Sequence, residues 1–203
     1  MNDEIKKHLI ELFDKAKLFE KQNNMKDALS TYLKALKIYP EYVSALNNAG
    51  AIFAQHYLKY TESLECYNRA LRNDPKNIES IIGKGTVMVM LKNIDDAIAY
   101  YKKALTLNAK NVDALRGLSS VYLMQHEFEN ALEPLERVLD ILPNDIEVLC
   151  NKGIVLAEQG DFDGAKELFD RALEIEPANK MAIHNKSYFV YLKKHGKMDK
   201  SNE

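Results

Sequence analysis

Apolar residues along this chain recur three and four apart in stretches of about fourteen residues, which places them on one face of a helix. Short polar breaks such as Lys92-Asn93 and Gly160-Asp161 separate the stretches and predict turns. Pro40, Pro75, Pro143 and Pro177 each close a second stretch, because proline lacks the amide that would continue a helix. The helices therefore come in pairs, and the pairs repeat. Ala28–Tyr32–Ala35–Pro40 returns as Ser63–Tyr67–Ala70–Pro75 and then as Ala97–Tyr101–Ala104–Ala109. It returns twice more, as Ala131–Leu135–Val138–Pro143 and Ala165–Phe169–Ala172–Pro177. A small residue precedes each set by about twelve places: Ala16, Gly50, Gly85, Ser119, Gly153. The unit is 34 residues long, with one surplus residue in the second copy, between His56 and Lys59.

This spacing resembles the tetratricopeptide repeat (TPR), and Gly153–Leu156–Gly160–Ala165–Phe169–Ala172–Pro177 carries the resemblance most fully. Five units cover 9–42, 43–77, 78–111, 112–145 and 146–179. The family's tryptophan is replaced by Leu12, Leu46, Ile81, Leu115 and Leu149, and a usual leucine by Lys15, Lys84, Lys152 and Lys186. A lysine stem can pack there while its ammonium reaches water. The fold expected is all-α: an α-solenoid, wound as a right-handed superhelix, of five TPR helix pairs. A sixth first-type helix over 180–194 reads as a C-terminal cap, and 195–203 as a polar tail, so 1–194 is expected to be one domain. Pro134 falls inside the fourth unit's second helix, where a tolerated kink on the convex side is expected.

Composition narrows the function. Hydrophobic residues make up 46% and charged residues 29%, which excludes a disordered chain, and only 8 Gly and 5 Pro favour long elements over a turn-rich β fold. A net charge of −2 offers no overall grip on nucleic acid. The start of the chain has no apolar run of signal-peptide type and no stretch long enough to span a bilayer, so a cytoplasmic protein without a membrane partner is expected. The charge is unevenly placed: residues 112–179 hold 15 acidic and 5 basic groups, while 180–203 hold 6 basic and 2 acidic. That is either a solubilising surface or a device for steering a charged partner.

No catalytic constellation emerges. Gly83-Lys84-Gly85-Thr86 lacks the earlier glycine of a phosphate loop, and Asp161-Phe162-Asp163-Gly164 lacks the twelfth-position carboxylate of a calcium loop, where Ala172 stands. The histidines form no i, i+4 pair, and neither Cys66 nor Cys150 has a companion at metal-ligand spacing. No enzyme, metal or cofactor is expected.

The resemblance implies a peptide-binding groove lined by first helices. Carried over position by position, it comprises Asn48; Glu79, Ile82, Thr86 and Val89; Asp113, Arg116, Ser120 and Leu123; Glu147, Cys150, Asn151 and Ile154; and Asn185 and Tyr188 on the cap. The asparagines could bond an extended peptide backbone. The carboxylate clamp known in the family is incomplete: its places hold Phe13, Lys17, Asn48, Glu79 and Gly83, or Arg116, Ser120, Asn151, Met181 and Asn185. The expected function is a non-catalytic protein–protein interaction module whose partner is a peptide or helix, basic with apolar anchors. A self-associating scaffold, its basic last helix docked on the acidic fourth and fifth repeats, is the alternative.

Overall fold

The computed structural model describes residues 3–195, and the side chains of residues 3–190. Eleven helices make up the described residues. They are α1 (Asp3–Lys21), α2 (Met25–Ile38), α3 (Val43–Tyr57), α4 (Tyr60–Asn73), α5 (Ile78–Met90) and α6 (Ile94–Leu107). There follow α7 (Val112–Met124), α8 (Phe128–Ile141), α9 (Ile146–Gln159), α10 (Phe162–Ile175) and α11 (Lys180–His195). This is the helix-pair array of an α-solenoid of TPR units, and none of these helices is long and apolar enough to cross a membrane. The polar tail expected from His195 lies, beyond that residue, outside the described residues.

Local chemistry sets each boundary. Asn77, Asn111, Asp145 and Asn179 cap α5, α7, α9 and α11, their side-chain oxygens accepting the amides of Ser80, Ala114, Val148 and Ala182 at 2.9–3.1 Å. Between paired helices one residue turns left-handed: Asn23, Lys92, His126 and Gly160 at equivalent places, with φ of 57°, 61°, 58° and 90°. In the second repeat the surplus residue lengthens α3 to 15 residues and passes this role to Leu58, φ 53°. The second helices α2 and α10 end on an extended residue, Tyr39 and Glu176, before prolines, yet Asn108 does the same before Ala109. α8 runs through Pro134, which is buried rather than placed on an outer face as the sequence led us to expect.

The chain divides into two compact units between Asn108 and Ala109, at the end of the third repeat. In the first unit, the rings of Tyr67 and Tyr101 lie on the small residues Gly50 and Gly85, so close that an added Cβ would meet them at about 3 Å. Tyr32 is fully buried in a cluster with Ala16, Ala28 and Leu46. In the second, Phe169 lies on Gly153, in a core with Leu149, Ala165, Ala172, Ala182 and Phe189. Within each unit an arginine of the second helix donates to the turn that ends the preceding repeat: Arg69 to the Pro40 carbonyl, Arg137 to Ala109 and Arg171 to Pro143. The lysines that replace the family's leucine also find partners. Lys152 reaches Glu136 at 2.9 Å and Lys186 reaches Asp170, each on the second helix before it, while Lys84 lies 4.7 Å from the centre of the Tyr100 ring.

Candidate binding surface

In the first unit α3 and α5 lie side by side and bring Asn48, Glu79, Ile82 and Thr86 around one cavity of about 180 Å³. Two glycines make room for its wall. The Tyr67 ring enters from α4 against Gly50 and Gly83, and a Cβ on Gly83 would stand 2.3 Å from Cζ. The phenol therefore reaches the cavity edge, and burial pushes its pKa up. Asn47, 2% exposed, ties the helices together: its Nδ2 donates to Asn77 and Glu79 at 3.0 and 2.9 Å, and its Oδ1 accepts from Ser80 at 2.5 Å. Glu79 is thus fixed at the rim from below.

Asn48 is more engaged than its repeat position suggested. It donates to the Ser44 carbonyl at 2.7 Å and accepts from Lys17 at 2.6 Å, and that ammonium also pairs with Glu20. Thr86 donates to the Ile82 carbonyl at 3.2 Å and lies 3.2 Å from the Tyr101 hydroxyl. Val89 is half-buried on the same helix, outside the cavity lining. Asn47 and Tyr67 were not anticipated, and Gly83 was read only as a place in the incomplete phosphate loop and the incomplete carboxylate clamp. The signal for them was a second glycine in α5, two places before the repeat's small position at Gly85.

In the second unit Asp113, Ser120 and Glu147 are exposed, Leu123, Asn151, Ile154 and Asn185 are half-buried, and Tyr188 is 45% exposed. One expectation needs correction. Cys150, assigned to the groove floor, is 0% exposed, because α11 lies across α9 and covers it. Burial raises its thiol pKa, a hydrogen bond with Asn185 opposing the rise. Arg116 is half-buried, and its guanidinium pairs with Asp145, the cap of α9. Asp161, considered for calcium, accepts the Gly164 amide and caps α10. No group of three or more His, Cys, Asp or Glu among the described residues could hold a metal, and burial lifts the Cys66 thiol to about 11. Lys186 of the basic last helix is paired with Asp170 of its own chain.

Sequence models described as tetratricopeptide repeat match residues 13–78, 88–149 and 146–179. Among solved structures, YrrB, described as a TPR protein with an unusual peptide-binding site, is 26% identical over 87% of this chain and 90% of its own, with a TM-score of 0.65. MamA is 25% identical over 80% of this chain and 94% of its own, TM-score 0.67. PilF of Pseudomonas aeruginosa, at 18% identity, shares the fold over 95% of this chain and 87% of its own, TM-score 0.83. No curated protein matches the sequence.

Proposed function

The chain belongs to the tetratricopeptide repeat family of protein–protein interaction modules, and on that premise we propose that its first helices hold a peptide or helical segment of another protein. The observation that carries this reading is the cavity between α3 and α5, with Ile82 in its wall and Glu79 held at its rim by Asn47. A further support is the similarity to YrrB, which is described as having a peptide-binding site. Binding here is non-catalytic. Apolar anchors of the ligand supply affinity by burial, while Glu79 at the cavity rim selects a flanking Lys or Arg and speeds encounter.

The test is a titration of a co-purified partner against the intact chain, Ile82→Glu and Ile154→Glu, at low and high salt. Binding should weaken with salt and fall sharply in Ile82→Glu, which puts a charge on a half-buried apolar position of the cavity wall, while Ile154→Glu tests the second unit by itself. Undiminished binding by Ile82→Glu would move the site off this cavity.

A further inference from the structure

Each first helix from α3 to α9 turns one side toward its own second helix. In the fifth repeat that side of α9 is Leu149, Gly153 and Leu156: Leu149 is 0% exposed, and the Phe169 ring of α10 presses on Gly153 so that a Cβ there would meet it at 2.7 Å. Tyr101 sits on Gly85, and Tyr67 on Gly50, in the same way. The equivalent places on α11, one repeat later, are Ile183, Ser187 and Val190, again two aliphatics around a small residue. Here the side is open. α9 and α10 hold α11 by its other side, through Ala182 and Phe189, and leave Ile183 46% and Val190 55% exposed. Ser187 donates its hydroxyl to the Ile183 carbonyl at 2.9 Å, so an incoming apolar group meets a donor already satisfied.

We propose that this side of α11 docks an amphipathic helix of another protein, with small–x3–aromatic–x2–small along its apolar stripe and acidic residues beside it. Its ring seats over Ser187, between Ile183 and Val190. The repeats themselves identify the occupant, since α3, α5 and α9 are each met on this side by a second helix of that pattern: Ser63–Tyr67–Ala70 in α4, Ala97–Tyr101–Ala104 in α6 and Ala165–Phe169–Ala172 in α10. Charge agrees: residues 180–203 carry 6 basic and 2 acidic groups, which favour an acidic partner. A second copy has no second-type helix to lend, because its own α2, α4, α6, α8 and α10 are packed against α1, α3, α5, α7 and α9. The surface belongs to α11 alone and does not rest on the reading of the first-helix cavity.

The probe is a synthetic peptide of residues 161–177, which carries the pattern together with six acidic and two basic side chains. Titrated against the full chain, it should bind saturably and more weakly as salt rises. Ile183→Glu and Val190→Glu, at exposed positions, should each weaken it by about tenfold or more with unchanged helical content. A peptide carrying Phe169→Ala should lose as much, while Ile82→Glu in the chain should leave binding intact. Absence of saturable binding, equal binding by Val190→Glu, or loss with Ile82→Glu would overturn the proposal. So would concentration-dependent dimerisation of the chain that Val190→Glu abolishes, since the face would then be covered by a second copy.

Discussion

Gly83 puts two opposing effects on a single residue. Inside a helix, Gly→Ala ordinarily stabilises by about 1 kcal/mol. At this place the added methyl would stand 2.3 Å from the Tyr67 ring, which is itself wedged against Gly50. Gly83→Ala should therefore destabilise, by about 1–3 kcal/mol, and push the phenol out of the cavity wall. A denaturant midpoint that rises would show the ring to be loosely held. Lys92 offers the opposite test. Its φ of 61° is costly for any residue with a Cβ, and its side chain is exposed, so Lys92→Gly should raise stability by about 0.5–1 kcal/mol in thermal or denaturant unfolding. The sequence disclosed the Lys92-Asn93 turn but not which residue bears the left-handed backbone, because lysine, histidine and leucine carry no mark of it.

At the scale of the helix, caps and ion pairs decide more than propensity. Asp145 accepts the Val148 amide and also the Arg116 guanidinium, so Asp145→Ala removes a cap and strands a cation in one change. The expected loss is about 1–2 kcal/mol, read from the denaturant midpoint, with Asp145→Asn keeping the cap and losing less. Asp170 lies between Lys166 and Lys186, which hold its carboxyl below the usual carboxylate range. A depressed pKa in the folded state contributes stability above the ordinary carboxylate value and loses it as pH falls through the lower one. Asp170→Asn should thus flatten the acid limb of the stability–pH curve, by less than about 1 kcal/mol for so exposed a pair. Helix positions and pairing were legible because period and proline spacing are local properties. The burial of Cys150 and the engagement of Arg116 and Asn48 were not, since each depends on a partner about thirty residues away.

At the scale of the molecule, α11 supports what lies beneath it. Its Ala182 and Phe189 complete the core around Phe169 and Leu149, and it covers Cys150. Deleting residues 181–203 should expose that core, lower the melting temperature and promote aggregation, whereas deleting 197–203 should do neither; sizing and thermal melts distinguish the two. The family was plain from the sequence, while the surface of α11 left open came from comparing exposures between equivalent places.

Arg69, Arg137 and Arg171 fasten a helix to the turn just before its own repeat, and to nothing farther along the chain. Each bond has a short reach, so a load pulling on either unit from its ends is borne by one repeat at a time. Stretched between a bead and a surface, the protein should yield in a train of small, similar steps, roughly one repeat each, and rewind promptly when the tension drops.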